Sequence, residues 1–157
     1  MRREGEVRIP SGCAIAAVIS REGKRMTGET VIRSMLPMHD RSNGLGGGFA
    51  GYGIYPEYKD LYAFHIFFDN ERARTECEVL LKESFEIVKD EEIPIRKMPE
   101  ITDVPIIRRY FAAPFASVLS RLQLDEKEYV ARTVMRINSG LKGVYVFSSG
   151  KNMGTFK

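Results

Sequence analysis

The stretch "LYAFHIFFD", residues 61–69, decides the fold. It is dense in aromatic and apolar side chains and reads as a buried strand. Working back along the chain, "FAGYGIYP" is glycine-rich and extended, so a strand over 49–55 is the expected hairpin partner, with "PEYKD" as the connection. Working forward, "DNERARTECEVLLKESF" predicts a helix capped by Asp69 or Asn70. Ala73, Cys77, Leu80, Leu81 and Ser84 recur at helical spacing, which puts Cys77 on the apolar face.

The pattern continues in both directions. "EIVKDEEIPI" predicts a strand limited by Pro94, "RKMPEITDVP" a proline-punctuated loop, and "IIRRYFAAP" another strand. Asp125 caps a helix presenting Tyr129, Val130, Val134 and Ile137, and Gly140 closes it. "GVYVFSSG" and "MGTFK" read as strands joined through "SGKN" as a hairpin. Upstream, "CAIAAVIS" (13–20) has the length and apolarity of a strand. "GETVIRSMLPMHDR" predicts a short helix bearing Val31, Ile32, Met35, Leu36 and Met38, ended or kinked by Pro37. Hairpins outnumber strand–helix alternations, which argues for an α+β domain of largely antiparallel sheets. A final strand at 157 leaves a sheet edge unfinished, so the polypeptide is expected to continue or to be completed by a second one.

Composition narrows the class. At 157 residues the chain has the size of one domain, and 43% hydrophobic with 29% charged residues can build a core. The net charge of +3 is interspersed with acids, which argues against nucleic acid as a partner. The apolar runs are too short to cross a bilayer or to form a signal peptide, so no membrane partner and a cytoplasmic location are expected. Cys13 and Cys77 fit neither a disulfide framework nor a zinc site, and His39 and His65 lack metal-ligand spacing. Both histidines and Cys77 are expected to be structural. "SNGLGGGFAGYG" (42–53) carries six glycines but has no following helix and no Lys-Ser or Lys-Thr, so it reads as a tight turn into a strand, not a phosphate cradle.

Cys13 stands apart. Residues 1–12 are polar and aperiodic, a leader or arm, and "SGC" places unhindered Gly12 just before the thiol. If the Gly12–Cys13 bond is cleaved, Cys13 carries a nucleophile and, in its own α-amine with a reference pKa of about 8, a base. No histidine is then required.

"GCAIAAVIS" followed by "VIRSMLPMHDRSNGLGGGFA" resembles the opening of class II glutamine amidotransferase domains, closest to the branch found in glutamate synthase. Those domains begin Cys-Gly-Ile-x-Gly and continue with Leu-x-x-Leu-x-His-Arg-Gly. Here Ala14 and Ala17 replace the glycines, and Met35, Met38, Asp40, Arg41 and Ser42 occupy the later places. "FEIVKDEEIPIRKMPEITDVPIIRRYFAAP" and "EYVARTVMRINSGLKGVYVFSSGKNMGTFK" are similar to later segments of the same branch, so the resemblance spans residues 13–157. It implies an N-terminal-nucleophile hydrolase fold, a four-layer αββα sandwich of antiparallel sheets, incomplete at its C-terminal end. It implies Cys13 as the catalytic residue and Arg41 as structural. The activity would be glutamine hydrolysis to glutamate, with ammonia delivered to a glutamate synthase subunit carrying FMN and an iron–sulfur cluster. The chain itself would hold no cofactor and no metal. The family's glutamine-carboxylate arginine and Asn-Gly oxyanion hole would lie beyond Lys157, so activity would need a complementing half; loss of one oxyanion donor alone costs about 3 kcal/mol. The alternative is an inactive scaffold or regulatory subunit with the same fold.

Overall fold

A computed structural model of the chain describes residues 13–41, 47–95, 99 and 102–156. The expected leader 1–12 with Gly12, and residues 42–46 of the glycine-rich run, lie outside the described residues. The chain divides into two compact units, Met1–Gly48 and Phe49–Lys157.

In the first unit, residues 13–20 form neither strand nor helix, against the expected strand. An apolar run becomes a strand only where a second strand satisfies its backbone groups, and residues 13–20 take none. A turn follows, with the Ser20 hydroxyl accepting from the Lys24 amide at 2.9 Å. Helix α1 spans Glu29–Met35 and carries an i,i+4 ion pair, Glu29 to Arg33, at 2.6 Å. It tightens into a 3-10 turn over Leu36–Arg41, because Pro37 has no N–H to continue the α-helical ladder.

The second unit holds the core. Strands β2 (Tyr62–Phe68), β3 (Phe85–Glu92), β4 (Ile106–Pro114) and β5 (Val144–Lys151) form an antiparallel sheet in the order β3-β4-β2-β5. The 61–69 stretch is thus a central strand, paired on both edges. Helix α2 (Glu71–Lys82) starts where the Asn70 side chain accepts from the Ala73 amide at 3.0 Å. Helix α4 (Glu126–Gly140) starts likewise at Asp125, which accepts from the Glu128 amide at 2.8 Å. Ala73, Cys77 and Leu81 of α2, with Val130 and Ile137 of α4, pack on Phe64, Ile66, Phe68, Tyr110 and Val146. Both helices therefore cover one face of the sheet. Asn138 fastens α4 to β5 by exchanging two hydrogen bonds with the Val146 backbone, at 2.7 and 3.1 Å.

Two strand pairings differ from expectation. Strand β1 (Phe49–Tyr52) pairs with β6 (Met153–Phe156), not with β2. Strands β5 and β6 do not form a hairpin: the chain reverses at Asn152, with φ +54°, and β6 joins a separate two-stranded antiparallel ribbon. That reversal lays Met153 against Ala63 and Phe111, on the sheet face opposite the helices. A short helix α3 (Ala116–Leu122), which the sequence pattern does not announce, follows Pro114 and ends in left-handed Gln123. The second unit is thus α+β with two antiparallel sheets, layered as helices, four-stranded sheet and ribbon.

Candidate functional site

The ribbon-covered face is built around a buried cation. On β2 the side chains of Ala63, His65 and Phe67 alternate away from the helices, and on β4 those of Ile107, Arg109 and Phe111 do the same. His65 lies directly opposite Arg109, and both are almost wholly buried, at 0% and 1% exposure. A charge so deep requires partners. Arg109 Nε donates to His65 Nε2 at 3.0 Å, Nη1 pairs with Glu91 Oε1 at 2.5 Å and also donates to the Tyr55 hydroxyl, and Nη2 donates to the Thr155 carbonyl at 3.1 Å. The Arg109 guanidinium also lies over the Tyr55 ring, 4.7 Å from its centroid.

Two strand irregularities assemble this centre. The β3–β4 register slips between Ile87 and Lys89, which brings Glu91, not Asp90, opposite Arg109. The β2–β5 register slips between His65 and Ile66, so Ser148 faces His65, and Phe147 stacks on Phe67 at 4.2 Å. Strand β6 completes the site: the Thr155 amide donates to His65 Nε2 at 3.0 Å, and the Thr155 hydroxyl to Ser148 at 3.1 Å.

The electrostatics follow from these contacts. His65 Nε2 accepts two hydrogen bonds, so its ring is neutral and its proton sits on Nδ1. Burial, reinforced by the Arg109 charge, lowers its pKa to about 4; the adjacent Ser148 backbone pulls more weakly the other way. With its lone pair engaged by two donors, this imidazole has no basic nitrogen to offer a substrate. The centre joins two sheets.

Cys13, the sequence-predicted nucleophile, is exposed in the first unit. Cys77 is buried on α2, where burial and then the Glu78 carboxylate push its thiol up to about 12, so it stays protonated and inert. The His39 backbone lies in the 3-10 turn after α1. Among the described residues, no group of three or more His, Cys, Asp or Glu side chains is placed to hold a metal, and no helix is long and apolar enough to cross a membrane. Sequence reasoning passed over Arg109, Glu91, Tyr55 and Thr155. The available signal was the charged pair Arg108–Arg109 inside an otherwise apolar strand, which forces one arginine inward.

Fold and site together define an α+β protein whose two antiparallel sheets are joined through a buried His–Arg–Glu centre. The chain is 43% identical over 147 residues to a protein of Archaeoglobus fulgidus that carries the name "Uncharacterized protein"; the match covers 92% of this chain and 39% of that protein, so the chain spans well under half the length of its relative. No known protein family matches the chain. No solved structure matches it either.

Proposed function

We propose that this chain is the N-terminal part of a class II glutamine amidotransferase domain serving a glutamate synthase, with Cys13 as its nucleophile. The observation that carries the reading is the contrast between the two cysteines: Cys13 is exposed, whereas Cys77 is buried and held protonated. Accompanying it are the Cys-x-Ile opening at Cys13–Ile15 and the layering of helices, sheet and ribbon in the second unit, which we read as three layers of an αββα sandwich. The fourth layer would come from the rest of the domain.

The chemistry follows from one residue. Cleavage of the Gly12–Cys13 bond frees the Cys13 amine, which takes the thiol proton. The thiolate attacks the glutamine side-chain amide carbon; the C–N bond breaks, ammonia leaves with that proton, and a γ-glutamyl thioester remains. Water then cleaves the thioester, giving glutamate and the free thiol. The ammonia passes to a synthase subunit, on which FMN and an iron–sulfur cluster would reside.

The test is made on the assembled protein from its native host. Its intact mass is expected to begin at Cys13, its glutaminase activity to vanish in Cys13→Ser, and diazo-oxo-norleucine to label Cys13 and spare Cys77. Retention of residues 1–12 together with no labelling sinks the catalytic reading. It leaves the second one, a scaffold or regulatory subunit, which the alanines at 14 and 17 favour by crowding a backbone that the family keeps free of side chains.

A further inference from the structure

We propose that His65 is an acid-released clasp: protonation of its Nε2 frees the β6 end of the ribbon from the four-stranded sheet, while the helix-covered face stays folded. The proposal is independent of the amidotransferase reading.

The geometry is that of a contact with no room for a second proton. The Thr155 amide and Arg109 Nε both point at one nitrogen, each at 3.0 Å. A proton on that nitrogen removes both hydrogen bonds at once and turns three N–H groups toward one another. It also places a positive imidazolium against the Arg109 guanidinium. Among the described residues, the groups around the ring do not offset this. β4 presents Arg109 itself, β5 presents Ser148 and Phe147, and β6 presents the Thr155 backbone. Glu91 of β3 and the Tyr55 hydroxyl are directed at Arg109. The Ser148 backbone beside the ring favours the charged form, but less than burial and the Arg109 charge oppose it.

What yields is set by what else holds the ribbon. Its Met153 end is packed on Ala63 and Phe111, and the Tyr58 ring lies 4.5 Å from that of Phe111. Its far end is held by Thr155, through His65, Arg109 and Ser148. Release therefore begins at Thr155 and pivots about Asn152. On the other face of β2, Phe64, Ile66 and Phe68 pack in the apolar core under the helices, which does not depend on the charge of His65.

The sign and size follow by linkage. With about 4 in the clasped state and at most the ordinary 6.5 when open, where Arg109 still lies opposite the ring, the opening equilibrium is flat well above pH 6.5 and grows as pH falls toward 4. Between pH 7 and pH 5 it grows by at most about twentyfold. Hydrogen exchange on the full chain, corrected for the intrinsic pH dependence of exchange, should show that loss of protection at 153–156 and 49–52. Protection of β2 and β4 should hold. His65→Gln keeps an acceptor at the Nε2 position but does not titrate, so its ribbon protection should be flat over this range. Glu91→Gln should keep the wild-type response. Equal loss in wild type and His65→Gln, loss of the response in Glu91→Gln, or simultaneous loss from ribbon and sheet would each overturn the proposal. If His65→Gln does not fold, the wild-type imidazole resonance, assigned against His39→Gln, decides: a midpoint below about 5.5 supports the clasp and any higher one refutes it.

Discussion

The two faces of the four-stranded sheet are built on opposite principles. The helix-covered face is a continuous apolar layer in which α2 and α4 bury Phe64, Ile66, Phe68 and Val146. The ribbon-covered face carries a buried arginine, a neutral histidine and a carboxylate at its centre, with a small apolar cluster of Ala63, Phe111 and Met153 beside them. The first gains stability from area removed from water and tolerates imprecision in partner geometry. The second is stable only if each donor meets its acceptor, since an unpaired charge costs more than the pairing returns. The difference shows where the domain can give way: an apolar layer loses stability in proportion to atoms removed, whereas a polar centre fails when one proton is added or one partner is lost.

The largest expected effect tests the apolar face. Phe64 is fully buried and meets Phe85 edge to face at 5.3 Å. Phe64→Ala should destabilise the fold by about 4 kcal/mol, read as a lower urea midpoint with unchanged slope. A loss under about 1 kcal/mol would mean that this face is loosely packed. Next comes the polar face. Arg109→Met keeps much of the side-chain volume but strips the charge, leaving Glu91 and the His65 nitrogen each short of a donor. A cost of about 3 kcal/mol is expected by the same measurement, reduced by the partial exposure of Glu91. Near-neutral behaviour would show that the polar centre sets geometry without adding stability.

The same contrast explains what could be read in the sequence. The helix-covered face was accessible because its information is local: Asn70 and Asp125 announce helix starts, Ala73, Cys77 and Leu81 keep helical spacing, and 61–69 is unmistakably a buried strand. The ribbon-covered face was not, because three non-local events create it. A slip near Val88 chooses Glu91 over Asp90, a slip at Phe147 brings Ser148 to His65, and a reversal at Asn152 carries β6 across the sheet instead of beside β5. No propensity encodes a one-residue slip, and "SGKN" suits a hairpin as well as a fold-back. The succession of two extended runs across "PEYKD" that suggested a β1–β2 hairpin was correct about strands and silent about partners; β1 takes β6 because β2 already has a neighbour on each edge. For Cys13 the residue type and its neighbours carried the entire reading, since an exposed segment outside regular structure leaves no packing pattern in the sequence.

The smallest effect sharpens the comparison at a polar contact on the rim of the apolar face. The Tyr110 ring is buried among Phe64, Phe68 and Phe85, but its hydroxyl reaches the layer's rim and donates to Glu78 Oε1 at 2.9 Å. Burial, and then that carboxylate, push the hydroxyl's pKa up, so it remains a donor at any ordinary pH. Tyr110→Phe removes the donor and leaves the ring. Glu78 keeps Arg74 at 2.8 Å and Lys82 at 3.5 Å, and it is partly exposed, so water can take the vacated place. A cost of about 1 kcal/mol is therefore expected, below the usual range for hydrogen bonds to charged groups. Should it instead rival Arg109→Met, rim and centre would be equally demanding, and the division between a forgiving face and an exacting one would not hold.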